Sequence, residues 1–185
     1  MIFFKEFLKN TKEIGSIIPS SSFLSKAMVS KINYKTANVI VELGAGTGVF
    51  TEMLINNLKP NTKLFIFEIN PLLYKTLHNK FSYFENVYII NASAENLTNI
   101  LSVYGINKVD YILSGLPFLN FSPTLRNRIF TNIYSSLKLR GELILFQYTR
   151  FLEKEFNDFF EINSLEKVYL NFPPANIYTL IKKIK

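Results

Sequence analysis

Val39-Ile40-Val41-Glu42-Leu43-Gly44-Ala45-Gly46-Thr47-Gly48-Val49-Phe50 decides how the rest of the sequence is read. The apolar, β-branched run at its start has the composition of a strand buried on both faces, as inside a parallel sheet. It ends on an acid and opens into glycines at alternate positions. Beyond them Val49, Phe50, Met53 and Leu54 recur at helical spacing. A strand, a tight loop and a helix are therefore expected, with glycines that let the backbone approach a ligand. The G-x-G-x-G spacing is not that of a pyrophosphate loop, and no lysine stands where a Walker loop requires one. An acid just before the glycines suits a ligand that carries an ammonium group.

Working outward, Lys63–Phe67 predicts a second strand ending at Glu68. Asn70-Pro71 then has the form of a helix cap followed by proline at the first helical position. Val87–Ile90 and Val109–Leu113 predict the third and fourth strands, with a helix between them. Ser122-Pro123 caps a helix whose apolar stripe is Leu125, Ile129, Ile133 and Leu137. Glu142–Tyr148 predicts the fifth strand. Lys167–Phe172 and Ile177–Ile181 predict the last two, joined by Pro173-Pro174-Ala175. Strand and helix alternate and a hairpin closes the chain, which gives an α/β, Rossmann-like doubly wound sheet in one domain spanning residues 1–185. Its core covers 38–185 and helices precede it.

Before the core, residues 1–14 have the pattern of a basic amphipathic helix. Phe4, Phe7 and Leu8 lie on one face, and Lys5, Lys9 and Lys12 on another. Such a helix either lies in a bilayer interface or packs on its own domain. Gly15–Ser22 breaks it, and the serines cap a helix expected to bury Phe23, Leu24, Ala27, Met28 and Ile32.

At 185 residues the chain is long enough for a substantial core, and 48% hydrophobic residues exclude disorder. No apolar run reaches the length of a membrane span, and MIFFKEFL does not have the form of a signal peptide. Cysteine is absent, which excludes disulfides and thiolate metal sites and fits a cytoplasmic protein. No metal site is expected. Lys+Arg 21 against Asp+Glu 14 gives a net charge of +7, which favours an anionic partner, either nucleic acid or an acidic lipid surface. His78, the one histidine, falls among polar neighbours and reads as a surface residue.

VELGAGTG resembles motif I of the class I S-adenosylmethionine (SAM) methyltransferases, whose fold is a seven-stranded, mostly parallel sheet with an antiparallel last strand. The resemblance implies SAM as cofactor, with Glu42, Gly44, Ala45, Gly46 and Gly48 around its methionine part. Glu68, 20 residues beyond Gly48, stands where a carboxylate accepts both ribose hydroxyls. The same resemblance places Ser16, Ile17, Ile69, Ser93, Ala94 and Ser114 at the cofactor. Many members carry Asp after the third strand. Here that position is Ser93, and either Glu95 or the backbone would replace the missing charge.

Two methyltransferase families share these motifs over nearly the whole chain. The ribosomal RNA adenine dimethylases carry Asn-Leu-Pro-Tyr after the fourth strand. This chain has Gly115-Leu116-Pro117-Phe118, which keeps a ring for stacking a base but lacks the Asn side chain. The bacterial phospholipid N-methyltransferases resemble the chain more closely, at Ile14–Ser21, Glu42–Thr51, Ser114–Pro117 and Asn171–Ala175. That resemblance implies methylation of a phosphatidylethanolamine-type amino headgroup by a protein attached peripherally to the inner face of the membrane. RNA adenine methylation and SAM binding without turnover are the other readings.

Methyl transfer from a sulfonium depends mostly on positioning. An ammonium headgroup must first lose a proton, and Tyr148 reads either as its acceptor through water or as an aromatic wall. Gly115, Leu116, Pro117 and Phe118 would position the acceptor, with Phe118 and Tyr148 facing a cationic headgroup. Arg126, Arg128 and Arg150 are candidate phosphate contacts.

Overall fold

The computed structural model describes residues 22–183. The expected amphipathic helix at 1–14, together with Ser16 and Ile17, lies outside the described residues.

Seven strands form one sheet in the order β3-β2-β1-β4-β5-β7-β6. They are β1 (Val39–Leu43), β2 (Lys63–Phe67), β3 (Val87–Ile90), β4 (Val109–Ser114), β5 (Leu137–Gln147), β6 (Phe160–Val168) and β7 (Ala175–Lys182). Strands β1 to β5 pair in parallel, whereas β7 runs antiparallel to both β5 and β6. Every side chain of β1 is buried, which explains why its sequence is apolar without alternation.

Among the described residues six α-helices cover the two faces. One face carries α1 (Ser22–Val29), α2 (Val49–Ile55) and α3 (Pro71–Phe81). Leu24, Met28, Phe50, Leu54, Leu77 and Phe81 of these helices pack there on Ile40, Leu64 and Ile66. The other carries α4 (Leu97–Val103), α5 (Pro123–Ser136) and α6 (Glu153–Phe159). Leu97, Ile129, Ile133 and Phe156 pack there on Val41, Leu43 and Phe65. Successive β1 residues thus serve opposite cores, as the two-residue period of a strand requires.

Local signals start the helices. Asn70 accepts the N–H groups of Leu72 and Leu73 at the start of α3, ahead of Pro71. Ser122 accepts the Leu125 N–H at the start of α5. At the other end of the sheet, Asp110 accepts the N–H groups of Asn38 and Val39, both at 2.9 Å, and pairs with Lys138 at 2.6 Å. The Asp110 carboxylate therefore fixes the entry into β1.

The structure moves two strands and one side chain from their expected places. Strand β6 runs from Phe160 to Val168, whereas Tyr169–Phe172 form the turn to β7. As an edge strand with one neighbour, β6 exposes Glu161, Glu166 and Lys167, so its sequence lacks a continuous apolar run. Strand β5 begins at Leu137, which ends the α5 stripe as an extended, buried residue, and the register shifts before Glu142 joins Tyr111. Phe23 is 53% exposed and does not join the α1 core.

Candidate active site

Strand order reverses between β1 and β4, so their carboxyl ends open a crevice of the kind that binds ligands in doubly wound sheets. The glycine loop fills the floor of that crevice. Gly44 and Ala45 donate their N–H groups to the Phe67 carbonyl at 2.8 and 3.3 Å, which ties the loop to the end of β2. Gly115 donates to the Leu43 carbonyl at 2.9 Å, which ties it to the exit of β4. Gly46 has φ +58°, and a Cβ built on it would meet nothing within 4 Å. It combines a left-handed backbone with open space, the combination a ligand-approached glycine needs. Gly44 and Gly48 also have positive φ, but they abut Leu116 and Leu77.

Two carboxylates flank the loop. Glu68 is 6% exposed; its Oε2 accepts the Gly46 N–H and its Oε1 the Asn70 N–H, each at 2.8 Å. Each oxygen keeps one further lone-pair direction. Glu42 is fully buried; its Oε2 accepts the Thr51 hydroxyl at 2.7 Å, and its Oε1 has no partner. Burial pushes the Glu42 carboxyl up to about 8, with Thr51 opposing the shift and the Glu68 charge adding to it. A buried, half-satisfied carboxyl is costly to leave so. A cation brought to the crevice would lower that cost. The residues present therefore fit a ligand with an ammonium group and vicinal hydroxyls.

The outer side of the crevice is set by the ends of β2 and β3. Ile69 is 41% exposed. Asn91 donates its side-chain N–H groups to the carbonyls of Glu68 and Ile69, at 2.8 and 3.1 Å, and so holds the acid's backbone in place. Sequence reasoning missed Asn91; its position directly after an apolar strand, paired with Glu68 after another, was the available signal. Ser93 accepts the Glu95 N–H at 3.3 Å, and Ala94 is buried. The Glu95 carboxylate is paired with Arg128 at 2.9 Å, so it does not stand free to replace the missing Asp. Ser114 is 1% exposed and its hydroxyl accepts the Leu116 N–H at 3.3 Å.

On the acceptor side, Gly115 sits against the loop. A Cβ on it would lie 2.9 Å from the Gly44 carbonyl oxygen, a contact real side chains do not make. Leu116 packs beside Gly44, and Pro117 leads into the short 3-10 turn Phe118–Asn120. Phe118 does not face the crevice: it is fully buried, with its ring 4.8 Å from that of Phe130 and 6.0 Å from Phe121. The turn directs it into the core, so the stacking and headgroup roles expected of it fail. Tyr148 directly follows β5, is 46% exposed and meets Phe146 edge-on at 5.7 Å. Phe146 in turn lies 6.4 Å from Phe50, at the start of α2.

All three arginines expected at phosphate are paired. Arg126 forms a bidentate pair with Glu155 at 2.6 and 2.7 Å and donates to the carbonyls of Phe118 and Phe121. Arg128 pairs with Glu95 and Arg150 with Glu153. Arg126 is therefore structural, and Arg150 is a paired surface cation rather than a free one. His78 is exposed, as expected. Among the described residues no cluster of His, Asp and Glu forms a metal site, and no helix is long and apolar enough to cross a membrane.

The model of the ribosomal RNA adenine dimethylase family matches residues 4–133. An ornithine lipid N-methyltransferase of Singulisphaera acidiphila is 30% identical over 182 residues, which cover 96% of this chain and 93% of the relative. A ribosomal RNA small subunit methyltransferase A of Sulfurihydrogenibium is 24% identical over 188 residues, covering 96% of this chain and 72% of that one. Among solved structures, the 1,6-didemethyltoxoflavin-N1-methyltransferase of Burkholderia thailandensis, with S-adenosylhomocysteine bound, superposes with a TM-score of 0.75. That likeness covers 99% of this chain and 88% of the other at 13% identity, and it shows the fold. The chain belongs to the ribosomal RNA adenine dimethylase family and is a SAM-dependent N-methyltransferase with the Rossmann-like fold of its class.

Proposed function

We propose that this member of the ribosomal RNA adenine dimethylase family methylates the amino headgroup of a membrane lipid, not RNA. The observation that carries the reading is Gly115. The adenine enzymes have Asn at this step of their motif, and here a Cβ would lie 2.9 Å from the Gly44 carbonyl oxygen. The backbone crossing that excludes the side chain belongs to the cofactor loop itself, so the departure is built into the floor of the crevice. The ornithine lipid N-methyltransferase relative, matched over nearly its whole length, supports the same reading. So do the paired arginines: a primary amine is the feature common to ornithine-type and phosphatidylethanolamine-type headgroups, and its recognition needs no free guanidinium.

In this reading Glu42 Oε1 receives the amino group of the cofactor's methionine end, and Glu68 offers its remaining lone pairs to the ribose hydroxyls. Gly46 allows the close backbone approach. Gly44, Ala45, Gly48, Ile69, Ser93, Ala94 and Ser114 line the rest of the site, with Ser16 and Ile17 contributed by the preceding segment. SAM supplies an activated methyl group on a sulfonium. The protein's task is to hold an uncharged amine in line with it. A headgroup amine is mostly protonated at neutral pH, so its proton must leave before attack. We assign its departure to a relay through water to solvent, in which the half-exposed Tyr148 hydroxyl takes the proton from one water as it gives its own to the next, with Gly115, Leu116 and Pro117 shaping the approach. Attachment is peripheral, at the cytoplasmic face of the membrane, and the chain acts as one domain.

One assay tests the reading. Purified protein with labelled SAM is offered vesicles containing phosphatidylethanolamine, vesicles containing an ornithine lipid, and unmodified ribosomal RNA in parallel. Label is expected in at least one lipid and not in RNA. Label in RNA alone sinks the proposal.

A further inference from the structure

Four large apolar side chains stand exposed where β5 leaves the sheet and where β6 turns into β7. Phe151 is 81% exposed, Tyr169 73%, Leu170 69% and Phe172 83%. The register brings them together: Gln147, the last residue of β5, pairs with Asn176, and Asn176 pairs with Lys167. The two segments therefore leave neighbouring strands at the same end of the sheet. That end is the one at which β1 and β4 open the crevice, and β7 lies two strand spacings, about 10 Å, from β4.

Polarity at this rim is inverted. Gln147, Asn171 and Asn176 are 5%, 2% and 9% exposed, while the apolar residues beside them face outward. The polar side chains brace the rim from beneath. Asn171 donates to the Pro173 carbonyl at 2.7 Å across the turn, and Asn176 to the Gln147 carbonyl at 3.3 Å. Isolated exposed apolar residues are common, but a braced cluster of aromatic and aliphatic side chains marks an interaction surface. Its charge selects the partner. Residues 148–151 and 167–174 contain Lys167 and Arg150, of which Arg150 is paired with Glu153 at 2.6 Å, so Lys167 is the charge the rim itself adds. The Lys167 ammonium lies over the Tyr169 ring, 5.2 Å from its centroid. Exposed rings with a lysine among them, on a chain of net charge +7, match the headgroup zone of an anionic bilayer, where aromatic side chains sit at the apolar boundary and lysines near the phosphates.

We propose that this rim, with Phe151, Tyr169, Leu170 and Phe172 at its crest, enters the headgroup layer of an anionic membrane and seats the crevice at the lipid surface. The inference rests on the lipid-acceptor reading and adds the surface through which that acceptor is reached. A headgroup remains tethered to its acyl chains, so the crevice must come to the membrane. The strand that follows the crest, β7, lies about 10 Å from β4, so crest and crevice open at the same end of the sheet.

The chain contains no tryptophan, so Phe172→Trp in the full-length protein carries one indole at the crest. The probe is vesicles of phosphatidylcholine and phosphatidylglycerol, with plain or brominated acyl chains and no amino lipid. Indole emission should shift to the blue and fall at least about twofold with brominated chains, as for a side chain at the headgroup and acyl boundary. In the same background, Phe151→Glu with Leu170→Glu should weaken vesicle binding at least about tenfold, with SAM affinity unchanged. It should also raise KM for amino lipid in vesicles while leaving turnover of a monomeric short-chain amino lipid as it was. Unchanged emission on protein that sediments with vesicles overturns the proposal. So does a concentration-dependent dimer that Phe172→Glu disperses without loss of vesicle binding, since the crest would then cover a second copy. Insertion without any methyl transfer to lipid would count against the acceptor reading and leave the membrane contact standing, so the two failures are separable.

Discussion

Glu68 Oε2 accepts the Gly46 N–H at 2.8 Å, so the acid ending β2 and the central glycine of the loop after β1 form one rigid unit. With Asn70 bonded to the other oxygen, the carboxylate is locked before any ligand arrives. Such preorganisation removes part of the ordering cost of binding.

Replacing Glu68 by Ala should therefore act twice, removing the hydroxyl acceptors and releasing the Gly46 loop. SAM affinity should fall by about 1.5–3 kcal/mol, the range for hydrogen bonds to a charged group. Titration calorimetry checks this. Glu68→Gln should recover only part of the loss, because its NH2 cannot accept one of the two backbone N–H groups. An affinity equal to wild type in both variants would remove Glu68 from the site.

Glu42 gives the protein a pH signature. Its folded carboxyl is raised to about 8 by burial, above the unfolded value, so the folded state holds the extra proton between the two. The stability this contributes is fully present below the unfolded pKa, near 4.5, and is lost as pH rises through about 8. The slope from this group is at most about 1.4 kcal/mol per pH unit. Ligand-free protein should melt at lower temperature at pH 8 than at pH 6, and Glu42→Gln should flatten that slope. A cationic ligand beside Glu42 favours the carboxylate, so SAM binding near pH 6.5 should release a proton. Calorimetry in buffers of different ionisation enthalpy reads it, and no release from wild type would place the ammonium elsewhere.

At Gly115 even a methyl group is too large. Gly115→Ala should destabilise the fold by about 1–3 kcal/mol, the usual range for overpacking, and Gly115→Asn by at least as much. Urea denaturation measures both. Gly115→Asn should not acquire RNA methylation, because the inserted side chain displaces the Gly44 carbonyl rather than filling a vacant acceptor position.

Arg126 joins α5 to α6 through Glu155 and caps the turn after Phe118. Arg126→Ala should cost about 1–3 kcal/mol in stability. The loss should be smaller in Glu155→Ala, which leaves the two carbonyl acceptors served. A double-mutant cycle with a coupling near zero would contradict the pair.

Much of the crevice was legible in the sequence. The strand, loop and helix of 39–55, the Asn70-Pro71 cap and the position of Glu68 are written in periodicity, glycine spacing and capping chemistry. These act within a few residues and need no tertiary partner. The tertiary structure alone decided that Phe118 turns inward onto Phe130, that Arg126 serves Glu155 rather than a ligand, and that Gly115 has no room beside Gly44. It also set the sixth strand at Phe160–Val168, because an edge strand with one neighbour can keep polar residues and leave no apolar run to read. Each of these depends on residues far apart in sequence meeting across the sheet, where packing and charge pairing override local pattern.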